Sequence, residues 1–185
     1  MIDDVLTDAS RRMDKTVEAT RHEFTTVRTG RASTALLDRV QVEAYGTRMP
    51  LNQLATISVP EPRMLTITPF DKSTMRDIER AIQESDLGLT PSNDGQMIRL
   101  PIPQLTEERR KELVRQVRHM AEEGRVSARN VRRDALHQLK EAEKKGETGA
   151  DDVHRAEDRL QKVTDEHVHK IDDALKAKEA EIMEV

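Results

Sequence analysis

All seven prolines of this 185-residue chain lie between positions 50 and 103, and the segments on either side contain none. Proline breaks the interior of an α-helix, because it has no backbone N–H to donate and its ring clashes with the preceding turn. Long uninterrupted helices are therefore possible only before and after the proline-containing segment. This distribution predicts two helical regions that flank a segment of different structure.

The proline-free segments carry apolar residues every three or four positions, which is the spacing of a single helix face. Such series run from Ile2 to Val27, from Val114 to Leu139 and from Val153 to Ile182. A helix of about 35–40 residues is about 50–60 Å long and needs a packing partner along its whole length. The economical solution is a three-helix bundle, which we predict for residues 1–30 and 106–185.

The segment 31–105 contains short β-branched or alternating runs bounded by turn residues, as strands do. We predict strands at 39–45, 55–59, 64–70 and 96–102, a helix from Ser73 to about Asp86, and a loop at 87–95. The chain is therefore predicted to be α+β, with a β/α/β domain inserted into the bundle. The two connections lie close together and form a predicted hinge, which consists of Gly30, Arg31, Pro103, Gln104 and Leu105.

Positive charge is concentrated in RVSARNVRRDA (125–135), although the net charge of the chain is −4. At 100° per residue, one side of the second long helix carries a basic ridge beside its apolar face. The ridge consists of Lys111, Arg115, Arg118, Arg125, Arg129 and Arg132, and Arg133 flanks it. Arg129 has no acidic residue three or four positions away. Repelling arginines without partners suggest an anion supplied from outside, and the guanidinium fork suits phosphate.

Several classes of function are disfavoured by what the sequence lacks. It has no cysteine, no glycine-rich phosphate loop and no nucleophile elbow, and His167 and His169 are two residues apart, a poor spacing for metal ligands on a helix. We predict no enzymatic activity, no cofactor and no metal. Aromatic residues make up only 2% of the chain, which argues against base stacking and favours structured RNA as the anion.

Two interpretations remain from the residues alone: an RNA-binding protein, or a structural coiled-coil adaptor whose charged helix faces are merely solvated. No apolar stretch is long enough to cross a membrane, and the acidic N-terminus resembles neither a secretory signal nor a transit peptide. We therefore expect a soluble, cytoplasmic protein under either interpretation.

Five longer motifs resemble the ribosome recycling factor family, and the resemblance extends from Met1 to Val185. They are RMDK (12–15), VRTGRAS (27–33), SDLGLTPSNDG (85–95), LTEERRKEL (105–113) and ARNVRRDA (128–135). The resemblance implies an L-shaped, monomeric protein that binds the large-subunit ribosomal RNA of the post-termination ribosome. It also implies that elongation factor G, which hydrolyses GTP, acts with the factor to split the ribosome into subunits and release it from mRNA.

The resemblance further implies which arginines face RNA. Arg132 is the first candidate, and Arg129, Arg133, Arg110 and Arg28 belong to the same set; the ridge adds Arg125 and Arg118. Arg31 lies at the end of the hinge. The inserted domain is expected to face elongation factor G, but which of its residues make contact is not evident from the sequence.

Overall fold

A computed structural model describes residues 1–184. Its elements are α1 (Ile2–Thr25), β1 (Gln41–Ala44), β2 (Thr47–Pro50), β3 (Ala55–Glu61), β4 (Met64–Pro69), α2 (Met75–Gln83), β5 (Ser92–Asn93), β6 (Ile98–Pro101), α3 (Glu107–Lys144) and α4 (Ala150–Met183). They form two compact units, Met1–Arg28 with Thr106–Val185, and Thr29–Leu105. The α+β class with a long three-helix bundle is confirmed. Within residues 1–184, no helix is long and apolar enough to span a membrane.

The bundle unit consists of α1, α3 and α4, and its apolar stripes cover one another. Met13 on α1, Leu139 on α3 and Leu160 on α4 belong to one cluster and are at most 1% exposed. The N-terminus of α3 is capped as its sequence indicates, because the Thr106 hydroxyl accepts a hydrogen bond from the Arg109 N–H at 3.1 Å.

Helix α1 ends at Thr25, before the end of the helical segment predicted for residues 1–30. The hydroxyl groups of Thr25 and Thr26 donate to the carbonyl oxygens of His22 and Glu23, each at 2.6 Å. Threonine hydroxyls that bond to nearby carbonyls compete with the regular helical pattern and favour its ends. The last residues before Gly30 are therefore not helical.

A buried histidine links α4 to α1 within the bundle. His167 is 4% exposed, its Nδ1 lies 2.7 Å from the Val163 carbonyl oxygen, and its Nε2 lies 2.6 Å from Oδ1 of Asp14. His167 lies in the apolar stripe of α4, and each of its two ring nitrogens is thus within hydrogen-bonding distance of an oxygen. The structure uses this side chain for packing between helices.

The inserted unit contains a hairpin, a four-stranded sheet and one helix. Strands β1 and β2 pair antiparallel, and the second sheet has the order β3-β4-β6-β5 with antiparallel neighbours. Helix α2 packs over a core that includes Leu65, Ile67, Ile78, Ile82 and Ile98, all fully buried. Strands β2 and β5, which were not predicted, are short and lack a clear alternation of buried and exposed residues.

The predicted start of the helix in this unit is wrong. A 3-10 turn at Lys72–Thr74 precedes α2, and Asp71 rather than Ser73 caps it, because the Asp71 carboxylate accepts a hydrogen bond from the Ser73 N–H at 2.9 Å. Helix α2 also ends at Gln83, three residues before Asp86. Aspartate is as good an N-cap as serine, and Asp71 directly precedes the 3-10 turn, so it takes that role.

Candidate nucleic-acid interface

Four arginines follow one side of α3: Arg118, Arg125, Arg129 and Arg132. At 1.5 Å per residue the line from the first to the last is about 21 Å long. The side chains of Arg118 and Arg129 are 63% and 49% exposed, whereas Arg125 is drawn against α4 and only 21% exposed. The ridge predicted from the helical wheel is therefore present, but its members differ in environment.

Three of these arginines have acidic partners within the chain. Arg118 donates to Glu179 at 2.6 Å, Arg125 donates to Asp172 at 2.7 Å, and Arg129 donates to Glu122 at 3.3 Å. The expectation that Arg129 lacks an acid within reach is wrong. Glu122 lies seven residues earlier, two helical turns away, and the two long side chains bridge that distance.

These hydrogen bonds also stabilise the charges they join. The bond to Glu179 raises the pKa of Arg118. Partial burial acts to lower the pKa of Arg125, but the bonds to Asp172 and Glu122 outweigh it and raise the pKa. The bond from Arg125, helped by Arg129, lowers the pKa of Glu122. This part of the ridge therefore carries fixed, internally balanced charge at neutral pH.

Arg132 and Arg133 differ from Arg118, Arg125 and Arg129. Within residues 1–184 neither guanidinium has an ion-pair partner, and Arg133 is exposed while Arg132 is half-buried. Arg28, on the segment that follows α1, is likewise exposed and makes no ion pair with any described residue. Arg132 and Arg133 are thus adjacent positive charges without an acidic partner among the described residues, and Arg115, nearer the start of the ridge, also makes no ion pair there.

Arg110 does not share the side of α3 that carries the ridge. It precedes the buried Val117 by seven residues, which places it on the packing side of the helix. Its Nε is buried and has no hydrogen-bond partner among the described residues. A buried guanidinium nitrogen without a partner is costly, so Arg110 has an unmet capacity to donate a hydrogen bond.

Gly30 and Leu105 bring the two ends of the inserted unit together. Gly30 has φ +79°, and a Cβ placed on it would lie 3.2 Å from Cγ of Leu105 and 3.8 Å from the Pro103 carbonyl oxygen. Arg31, Pro103 and Gln104 are exposed. The geometry places the predicted hinge residues side by side, and their role as a hinge stays a prediction.

Both ends are also tied to the turn between β3 and β4. The Ala32 N–H donates to the Pro62 carbonyl oxygen at 2.7 Å, and the Ile102 N–H donates to the Arg63 carbonyl oxygen at 2.8 Å. Two adjacent backbone bonds therefore fix where each end enters the unit.

We expect Gly30→Ala to destabilise the inserted unit by more than the about 1–2 kcal/mol that a left-handed backbone costs a residue with a Cβ, because the added Cβ also crowds Leu105. Gly46→Ala is a matched control, since Gly46 has φ +76° but no atom within 4 Å of the added Cβ. Tyr45 is the only tyrosine and the chain has no tryptophan, so its fluorescence reports this unit during unfolding. Equal losses in both variants would show that the contact with Leu105 is not limiting.

Comparison with known proteins decides the family. The model of the family described as ribosome recycling factor matches residues 20–183. The chain belongs to the ribosome recycling factor family. It is 63% identical over 180 residues to the ribosome-recycling factor of Rubrobacter xylanophilus, covering 97% of each chain. It is 55% identical to that of Bacillus subtilis over 185 residues and the full length of both. The resemblance drawn from the motifs is confirmed.

Solved structures of ribosome recycling factors share this fold. A solution structure of a ribosome recycling factor is 43% identical, with a TM-score of 0.67 and coverage of 100% of this chain and 98% of the other. The T. thermophilus ribosome recycling factor is 46% identical, with a TM-score of 0.60 and full coverage of both chains. The fold and the family therefore agree.

The acidic partners on α4 were not predicted from the sequence, because spacing along α3 identifies only partners on the same helix. Asp172 and Glu179 are seven residues apart, as are Arg125 and Arg118, which they contact. Matching heptad spacing on two predicted antiparallel helices was the available signal. In this chain that spacing pairs Arg118 and Arg125 with α4 and leaves Arg132, the next arginine of the seven-residue series, without an ion pair among the described residues.

Proposed function

We propose that the chain binds the vacated, post-termination ribosome through the uncompensated end of the α3 ridge, with Arg132 and Arg133 donating to phosphates of large-subunit ribosomal RNA. The observation that carries this proposal is the pair of adjacent arginines without internal acidic partners, on a 38-residue helix of an otherwise acidic chain. Guanidinium groups donate forked hydrogen bonds to phosphate oxygens, and a rigid helix suits recognition of RNA by its shape and backbone.

The proposed partner in recycling is elongation factor G. One structure that this chain resembles is described as the T. thermophilus ribosome recycling factor and the E. coli elongation factor G bound to the E. coli post-termination complex. By analogy, we propose that elongation factor G hydrolyses GTP, that the inserted unit faces it, and that bending near Gly30 and Leu105 accompanies subunit separation. The chain itself performs no chemistry in this scheme, and it acts in the cytoplasm with the ribosomes.

The alternative, a coiled-coil adaptor, requires apolar helix faces that are free to bind another chain. The stripes of α1, α3 and α4 are instead buried against one another, as the shared cluster around Met13, Leu139 and Leu160 shows. We therefore propose that the protein is a monomer. Analytical ultracentrifugation over a wide range of concentrations checks this, and a stable dimer would favour the adaptor.

Co-sedimentation with vacant ribosomes tests binding, and light scattering after addition of elongation factor G and GTP tests splitting. We expect the chain to pellet with ribosomes, less so as the KCl concentration rises, because several phosphates are neutralised together. Splitting should require both GTP and elongation factor G, and a non-hydrolysable GTP analogue should not support repeated rounds. Binding without splitting would remove the recycling half of the proposal.

A further inference from the structure

Ion pairs between α3 and α4 follow one antiparallel register. Arg118 pairs with Glu179 at 2.6 Å and Arg125 with Asp172 at 2.7 Å, so seven residues forward on α3 correspond to seven residues backward on α4. Lys140 continues the same register with Glu157 at 2.8 Å. The two helices therefore present facing positions whose opposite charges meet both before and after residue 132.

The same register places Asp165 opposite Arg132, and here the ion pair is absent. Asp165 is seven residues before Asp172, as Arg132 is seven residues after Arg125. Among residues 1–184, Arg132 nevertheless makes no ion pair. Asp165 instead accepts a hydrogen bond from Nε2 of Gln161, one turn earlier on α4, at 2.8 Å. The Asp165 carboxylate, which the helix register places opposite Arg132, is therefore hydrogen-bonded to an uncharged side chain of α4.

We propose that Gln161 is a positioning residue that holds Asp165 away from Arg132, so that the Arg132 guanidinium is left for a phosphate of RNA. This inference rests on the proposed function. Without the Gln161 amide, Asp165 has no other partner among residues 1–184, and the cation opposite it in the α3–α4 register is Arg132. An internal carboxylate would then compete with the phosphate for the same guanidinium, as Asp172 and Glu179 already occupy Arg125 and Arg118.

The test is a double-mutant cycle on affinity for purified large ribosomal subunits. We expect Gln161→Ala to weaken binding about two- to fivefold, which is the change in affinity that corresponds to the free energy of one exposed ion pair. Adding Asp165→Asn in the same chain should restore the affinity, because the competing carboxylate is gone. Asp165→Asn alone should behave like Asp158→Asn, which removes the same charge from an exposed α4 residue that lacks an ion pair in the described chain.

Gln138→Ala, on an exposed α3 position, controls for the loss of a glutamine, and thermal unfolding of each variant reports any structural effect. Restoration by Asp165→Asn is the outcome that a merely structural role of Gln161 would not produce. Unchanged affinity in Gln161→Ala, or a loss that Asp165→Asn does not restore, overturns the inference. If the unmodified chain itself does not bind large subunits, the proposed function fails instead, so the two failures are distinguishable.

Discussion

Replacing Arg132 with alanine is expected to weaken binding to the large ribosomal subunit about tenfold to hundredfold. Hydrogen bonds to a charged group contribute about 1.5–3 kcal/mol, and each 1.4 kcal/mol is a factor of ten in affinity. The full effect is expected because Arg132 has no internal ion pair among residues 1–184, so no released carboxylate offsets the loss of the external contact. Equilibrium binding to purified large subunits measures the change.

The salt dependence of binding distinguishes the loss of a phosphate contact from a general loss of affinity. Each phosphate contact contributes about 0.7–0.9 to the slope of log affinity against log salt, so the slope should fall by about that amount in Arg132→Ala. Arg132→Lys should keep the slope but lose part of the affinity, because an ammonium group lacks the guanidinium fork. The two variants therefore separate the contribution of the positive charge from that of the guanidinium geometry.

Arg109→Ala is the matched control for the same helix. Arg109 lies away from the ridge and pairs with Glu112 at 2.9 Å, an exposed contact of little energetic weight. Its replacement should leave both affinity and salt slope unchanged. Near-normal affinity in Arg132→Ala, or equal losses in the two variants, would contradict the assignment of Arg132 to the interface.

The long helices were predictable because proline positions and a three-to-four spacing of apolar residues are local properties of the chain. The cluster of Met13, Leu139 and Leu160 follows directly from those stripes. Strands β2 and β5 were not predictable in the same way. They have four and two residues, and short edge strands depend on the partner strand for their hydrogen bonds rather than on a pattern of their own.

The candidate site could likewise be predicted only in part from the sequence. The seven-residue repeat of Arg118, Arg125 and Arg132 is visible in the sequence, and it placed the ridge correctly. Which of these arginines is compensated depends on the register between α3 and α4, and the spacing within α3 alone does not reveal that register. The ion pairs to Glu179 and Asp172 therefore correct the prediction for Arg118 and Arg125, and they leave Arg132 and Arg133 as adjacent arginines without an acidic partner among the described residues.

The packing role of Gly124 is not evident from the sequence. In an isolated helix glycine costs about 1 kcal/mol relative to alanine, so its presence in the middle of α3 looks like a tolerated weakness. In the bundle it faces side chains of both α1 and α4. A Cβ at this position would lie 2.4 Å from Oγ1 of Thr20 and 3.3 Å from Cδ1 of Ile171. Glycine here lets α1 and α4 pack directly against the α3 backbone.

We therefore expect Gly124→Ala to destabilise the bundle by about 1 kcal/mol despite its better helix propensity, and Gly124→Val by about 3 kcal/mol, because overpacking a filled core is costly. Thr20 cannot easily move aside. It is 5% exposed, and its hydroxyl donates to the Thr16 carbonyl oxygen at 2.9 Å. Helical circular dichroism during urea unfolding measures the effect, since α1, α3 and α4 contribute most of the helical residues.

The sign of the alanine effect should reverse when Thr20 is removed. In a Thr20→Ala background, the oxygen and the methyl group that crowd the added Cβ are both absent, so only the gain in helix propensity of about 1 kcal/mol remains. Gly124→Ala should then be neutral or stabilising. If it destabilises equally in both backgrounds, contact with Thr20 does not explain the glycine, and Ile171 on α4 becomes the limiting neighbour. A matched Ile171→Val variant would then restore the stability that Thr20→Ala did not.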